Sequence, residues 1–542
     1  MEQIKKPPII IFNPDEMRWD TMGHMGNPAA STPCLDRFVR EDAVSFANAY
    51  CQNPVCVPSR CSFFTGLYPH TTGHRTMGYL LRTQETSLLK ELKDAGYYVW
   101  ANARNDLVAG QIPGLLESHV TELYCGGNSA PAPGPVDPHH RGRPGDPQFY
   151  SFCNGELGTD TGGRNYSADD EDVDAAIHRI LHPVDDRPLC VFIGTLYPHP
   201  PYNIEPEFLR RIDPEKLPPR ISSESTSGKS RMLERLCCYQ NLSGMTDAQW
   251  DELRSIYLAM CSKVDEQFGR LCEALKQAGI YDDAAIFFLS DHGDYAGDYD
   301  VVEKAQNCFE DKLTRVPLLI KPPRGRAADP GVTQSLVELV DFYATAMDFA
   351  SVTPSHSHFG RSLAPILEDR ARTVRDAVFC EGGRLASEAH CSESADPAVE
   401  NEFKFSTMWP RYAAQFDDTA HAKGTMIRTD RWKYIYRAQG DCELYDLSAD
   451  PEERHSCADD PVLAPVIQEL QLQILAWYQS TCDTVPFDRD ERFNAQIIWE
   501  KVKMLCPEGR EEEVRKKIAQ THNLFLIQDF CRKLSPKETV VS

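Results

Sequence analysis

Apolar residues in this 542-residue chain fall into short uninterrupted runs that stop abruptly at polar residues. Pro8-Ile9-Ile10-Ile11-Phe12 stops at Asn13-Pro14-Asp15-Glu16, and Leu189–Gly194 stops near Tyr197-Pro198-His199. Ala284–Leu289 stops at Ser290-Asp291-His292-Gly293-Asp294, and Val316–Ile320 follows. Runs of strand length without alternation predict a parallel sheet covered on both faces. Helical patterns lie between them. Ser87–Ala95 is short and amphipathic. Asp251–Ala278 carries Leu253, Ile256, Tyr257, Met260, Val264, Phe268, Leu271 and Leu275 on one stripe and stops at Gly279. Strands alternating with helices predict an α/β fold, in which ligands bind beyond the carboxyl ends of strands. Asp15, His199, Asp291 and His292 all fall there.

Further along, the pattern changes. Gly126–Gln148, rich in Gly and Pro, and Pro218–Ser230 read as long surface loops, and Ser387–Asn401 reads as an exposed insertion. Thr425–Arg437 alternates like an antiparallel strand pair, Glu443–Leu447 is a short strand, and Pro461–Tyr478 is an amphipathic helix. Asp488–Lys533 is charged and mostly helical, and no repeats occur. The expected organisation is a catalytic α/β domain over 1–375, a smaller α+β subdomain over 376–485 and a helical tail over 486–542.

Composition narrows the function. The formal charge of −24 argues against nucleic acid and anionic membrane surfaces as partners. No apolar stretch approaches the length of a membrane span. Met1–Lys6 lacks the apolar core of a signal peptide, and nineteen cysteines in a large chain fit reduced thiols, so a cytoplasmic location is expected. Cys51, Cys56 and Cys61 are evenly spaced, but at no zinc spacing.

The candidate chemistry centres on Cys56-Val57-Pro58-Ser59-Arg60, continued through Cys61 to Thr65-Gly66. Pro58 suits the first turn of a helix, where its missing N–H costs nothing. Cys56 is then expected just before a helix N-terminus, where unpaired N–H groups favour an anion. Arg60 reaches back toward the same point.

The run C-x-P-S-R-x-x-x-x-T-G resembles the signature of the sulfatase family. The resemblance extends from about Pro7 to Tyr478 and includes the phrases Trp432-Lys433-Tyr434-Ile435 and Glu443-Leu444-Tyr445-Asp446-Leu447. It implies an alkaline phosphatase-like fold: a large, mostly parallel sheet flanked by helices. It also implies that a formylglycine-generating maturation enzyme oxidises Cys56 to formylglycine, whose hydrated aldehyde is the nucleophile. Asp15-Glu16 stands where the family has paired aspartates at a divalent cation, and Asp291-His292 stands at the second metal pair. The implied ligands are Asp15, Cys56 in its modified form, Asp291 and His292. Glu16, one methylene longer than Asp, is a further candidate whose direct ligation is left open. Asp294 fits a supporting position. Carboxylate oxygens favour Ca²⁺, and the imidazole leaves Mn²⁺ open.

The resemblance assigns Lys304 to sulfate binding and His199, in a P-H-x-P-Y-like phrase, to the ester oxygen. His199 suits a general acid because histidine titrates near neutrality. A departure falls at Ala103-Arg104-Asn105-Asp106-Leu107, where the family has G-K-W-H-L. Arg104 keeps the positive charge and adds a bidentate fork. Asp106 replaces a substrate-contacting His, which leaves the leaving group undefined. The implied reaction is hydrolysis of a sulfate monoester, a small molecule or saccharide ester on a sugar or aryl alcohol. A phosphonate monoester or phosphodiester hydrolase, and an inactive ligand-binding relative, are the competing readings.

Overall fold

The structure is a computed structural model and describes residues 6–126, 142–143, 146, 148–393, 406–487 and 492–535. Most of the Gly126–Gln148 loop, and the part of the Ser387–Asn401 insertion from 394 onward, lie outside those residues. The chain divides into two compact units, Met1–Thr484 and Val485–Ser542.

The first unit is built on eight strands: β1 (Ile9–Asp15), β2 (Val44–Tyr50), β3 (Tyr98–Asn102), β4 (Glu122–Tyr124), β6 (Leu189–Pro198), β8 (Ala285–Leu289), β9 (Leu318–Lys321) and β10 (Gly331–Glu338). Between them in sequence, β5 (Cys153–Glu156) and β7 (Tyr202–Ile204) form a separate two-stranded pair. The large sheet runs β10-β2-β9-β8-β1-β6-β3-β4. Every pairing in it is parallel except those of β9, which runs antiparallel to both β2 and β8. The apolar run at Val316–Ile320 therefore belongs to the one reversed strand; the long connection from β8, residues 290–317, carries only the single turns Asp298–Asp300 and Asp311–Thr314 and no full crossover helix.

Alternate residues of β1 serve opposite faces. Ile9 and Ile11 enter one core with Phe63, Phe64 and Phe342, while Ile10 and Phe12 enter the other with Phe268 and Phe288. The second face is closed by the long helix Asp247–Gln277, which starts at a Thr246–Gln249 capping box. Phe268 of this helix makes edge contacts with Phe12, Phe38 and Phe288 at centroid distances of 5.7, 5.1 and 5.2 Å. Removing that ring would leave a cavity costing about 3–5 kcal/mol.

A second, antiparallel sheet follows: β11 (Ala377–Gly382), β12 (Gly424–Thr429), β13 (Trp432–Arg437) and β14 (Glu443–Asp446). Helix Ala464–Thr481 covers it, with Trp477 stacked on Phe379 at 4.7 Å. In the second unit, helices Ala495–Val502, Glu511–Gln520 and Leu524–Leu534 share a small core of Ile498, Val502, Val514, Ile518, Ile527 and Cys531.

Candidate active site

Four parallel elements deliver the site. β1 ends at Asp15, β8 leads into Asp291 and His292, β6 leads into His199, and β2 leads into helix Cys56–Thr65. Because β1 pairs in parallel with both β6 and β8, their carboxyl ends lie on one edge of the sheet. Cys56 is the first residue of its helix, one position further in than the sequence suggests, with Val55 as an extended N-cap. No side chain caps that end, so first-turn N–H groups remain available to an anion. The helix stops at Gly66 in the left-handed region (φ 71°), where a Cβ would meet Tyr343 at 2.9 Å.

Arg60 organises the acids. Fully buried, it donates Nε to Asp291 Oδ2 at 2.8 Å and a terminal nitrogen to Asp15 Oδ2 at 3.0 Å. Arg104 adds a second bond to Asp15 Oδ2 at 2.6 Å. Burial alone would raise Asp15, but Arg104 and Arg60 outweigh it and hold the carboxyl well below its ordinary range. Gly194 permits this arrangement: any Cβ there would meet the Arg104 carbonyl at 2.4 Å. Ser59 Oγ donates to the Asp291 carbonyl at 2.6 Å, tying the nucleophile helix to the β8 loop.

Asp15, Cys56, Asp291 and His292, all buried, bring one ligand atom each within 4.8 Å of one another. His292 donates Nδ1–H to the Gly293 carbonyl at 2.9 Å, which leaves the Nε2 lone pair facing Cys56 Sγ at 3.2 Å and Asp15 Oδ1 at 3.7 Å. Two carboxylates, an imidazole lone pair and a side chain at position 56 make a donor set that fits a divalent cation. Glu16 joins a second grouping with Asp15 and His199. Its Oε2 pairs with Lys304 Nζ at 2.6 Å, while its Oε1 is buried with no partner among the described residues. Glu16 also sits at φ 68°, its carbonyl accepting from Tyr257 Oη at 2.7 Å and its N–H donating to Asp291 Oδ1 at 3.2 Å. The unpaired oxygen fits a further ligand position, and the Lys304 pair fits a charge clamp. Glu16 holds both.

Burial, with the neighbouring Asp15, pushes the Cys56 thiol well above its ordinary value. The unmodified side chain is therefore a neutral thiol and a poor nucleophile. Lys304 is buried too, which by itself would lower it, and its pairing with Glu16 holds it charged against that burial. His199, 19 % exposed, has Nδ1 2.6 Å from the Pro200 carbonyl and Nε2 3.5 Å from Glu16. Burial and Lys304 hold its pKa well below the ordinary value. Asp106, partly exposed at φ 44°, lies within electrostatic reach of Cys56, Arg60 and Arg104. Asp294 stands behind the cluster, accepting from Tyr202 Oη at 2.7 Å and from the Ala296 and Glu303 N–H groups at 2.7 and 3.0 Å.

One contributor was invisible in the sequence. Arg411, on helix Trp409–Gln415, pairs with Glu303 beside Lys304 and interacts electrostatically with Cys56. It follows the insertion and matches no local pattern; only the fold carries it to the site.

Comparison with known proteins agrees with this geometry. A choline-sulfatase of Rhizobium meliloti is 28% identical over 473 residues, covering 84% of this chain and 83% of the relative. Arylsulfatase K of Xenopus laevis is 24% identical over 454 residues, covering 79% and 74%. A phosphonate monoester hydrolase of Agrobacterium radiobacter shares the fold at TM-score 0.69 and 20% identity, covering 88% of this chain and 96% of that one. A structure in complex with its substrate D-glucosamine-2-N,6-O-disulfate shares it at TM-score 0.63 and 20% identity, covering 88% and 98%. The model of the sulfatase family matches residues 7–352, which include every site residue above except Arg411, and the chain belongs to that family of sulfuric ester hydrolases.

Proposed function

We propose that this chain hydrolyses a sulfate monoester using formylglycine made from Cys56 by a maturation enzyme, with a divalent cation held by Asp15, Asp291, His292 and the modified residue 56. Glu16 Oε1 is the further oxygen available to that cation. The observation that carries the reading is the convergence of those four side chains at an uncapped helix N-terminus, beside a fully buried Arg60. Formylglycine supplies a hydrated aldehyde as nucleophile, and the cation, Ca²⁺ with Mn²⁺ as the alternative, supplies Lewis acidity.

The chain's own residues do the rest. Arg60 helps keep Asp15 ionised and orients both Asp15 and Asp291. Arg104, 29 % exposed on its side chain, and Lys304 present positive charge to the sulfuryl oxygens. His199 is neutral in the free protein; an arriving sulfate ester favours its protonated form, which then donates to the leaving oxygen. Arg104, Lys304 and Arg411, with the positive charge that a bound divalent cation would add, let an acidic protein receive an anion here.

All nineteen cysteines stand as free thiols, which supports a reducing, cytoplasmic setting as part of this proposal. No helix among the described residues is long and apolar enough to cross a membrane. Turnover of nitrophenyl sulfate and of a nitrophenyl phosphonate monoester by the matured protein tests the reaction class. Faster sulfate turnover is expected; dominant phosphonate turnover would overturn it.

A further inference from the structure

The end of β6 that carries His199 leaves the regular ladder before it reaches the site. β1 and β6 pair in step as far as Pro14 and Thr195, and the next pair is Asp15 with Pro198. Leu196 and Tyr197 are therefore extra on β6, and a bulge of this kind leaves backbone groups outside the ladder. On its other side, β6 makes its last pair with β3 at Phe192 and Ala101.

Side chains continue that ladder where β3 stops. Asn102 accepts from the Gly194 N–H at 2.9 Å and donates to the Gly194 carbonyl at 2.7 Å. Asp169 comes next, from the first turn of helix Ala168–Leu181, and is 4% exposed. Its Oδ1 accepts from the Leu196 N–H at 2.7 Å and its Oδ2 from the Tyr197 N–H at 2.9 Å. These donors are the two extra residues of the bulge. A buried N–H left without an acceptor costs about 1–3 kcal/mol, so the carboxylate favours this path of the chain. The bulge in turn holds the acid: the Leu196 carbonyl accepts from the His199 N–H at 2.9 Å, and His199 Nε2 lies 3.5 Å from Glu16.

We propose that Asp169 is a positioning residue for the general acid, fixing the Leu196–Tyr197 bulge and through it the approach of His199 to the leaving oxygen. The proposal rests on the sulfatase reading above, with His199 as the acid. A group that only supports the fold would lower all turnover alike. One that aims the acid matters most where the leaving oxygen most needs a proton. Phenyl sulfate and nitrophenyl sulfate differ in that need, because nitrophenolate leaves readily without one.

The test measures kcat and KM of the matured protein, Asp169→Asn, Asp169→Ala and His199→Ala on these two esters. Asn keeps the size of the side chain and one acceptor, but turns an NH2 group toward the second N–H. On phenyl sulfate, kcat is expected to fall about 10- to 100-fold in Asp169→Asn and further in Asp169→Ala, with KM little changed. On nitrophenyl sulfate the loss is expected to be about tenfold smaller. Adding Asp169→Asn to His199→Ala should cost little beyond His199→Ala alone, since both act on one proton transfer. Thermal unfolding identifies a variant that fails to fold, and the near-isosteric Asp169→Asn carries the test if Asp169→Ala does. Equal losses on the two esters in a folded variant, or additive losses with His199→Ala, would overturn the positioning role while sulfate turnover stands. Equal losses in His199→Ala itself would remove His199 as the acid, and the role of Asp169 with it. Turnover of a phosphonate monoester with no sulfate ester hydrolysed would overturn the reaction class and everything that rests on it.

Discussion

His292 holds Nε2 3.2 Å from the Sγ of Cys56, and its other ring nitrogen is committed to the Gly293 carbonyl. That commitment fixes the tautomer, so the remaining lone pair faces residue 56 and the two aspartates. A histidine held this way orients a ligand before any cation arrives.

Metal dependence follows from this geometry. Dialysis against a chelator is expected to abolish sulfatase turnover, and Ca²⁺ or Mn²⁺ to restore it. His292→Ala should lower kcat/KM by at least about 100-fold at a fixed, limiting metal concentration. Full activity in protein shown to be metal-free by elemental analysis would remove the cation from the account.

Cys56→Ala is expected to lower kcat by about 10⁴-fold or more. The thiol is small, so the unfolding temperature should stay close to that of wild type. Retained turnover in the folded variant would show that residue 56 is not the nucleophile.

The fully buried Glu16 pairs with Lys304 at 2.6 Å. Lys304→Met should cost about 3–5 kcal/mol, because it leaves a carboxylate buried without its partner. Glu16→Gln in the same chain should restore much of that stability and none of the activity. Additive losses in urea midpoints would show that the two side chains are not coupled.

Stability on acidification has a specific local source. Burial, reinforced by Lys90 and Lys93, lowers His119 from 6.5 to about 4. The unfolded chain therefore binds this proton first, and stability that is fully present above pH 6.5 is lost as pH falls toward 4. At pH 5 the loss is about 2 kcal/mol. His119→Gln should lose correspondingly less stability than wild type between pH 7.5 and 5, by urea unfolding. Parallel losses would refute the assignment.

Much of the fold was legible in the sequence because buried parallel strands are continuous apolar runs. Ile9–Phe12 and Ala284–Leu289 announced both their burial and the polar residues at their ends. The reversal of β9 was not legible, since an apolar run carries no sign of direction. The site residues on strand ends were readable from motifs near Cys56, Asp15 and Asp291. Arg411 and Asp169 were not, because the first meets Glu303 only through packing of helix Trp409–Gln415 and the second shows its significance only once the Leu196 and Tyr197 N–H groups are seen on its carboxylate. Asp106 remained the clearest local departure, and the structure places it within electrostatic reach of Cys56, Arg60 and Arg104.

The central claim is that Cys56 works as an aldehyde hydrate. The direct measurement is the mass of the tryptic peptide containing residue 56, taken from protein co-expressed with a formylglycine-generating enzyme and active on a sulfate ester. The account predicts a peptide lighter than the cysteine form that reacts with an aldehyde-specific hydroxylamine probe. A peptide carrying only unmodified Cys56 in a fully active preparation would contradict it.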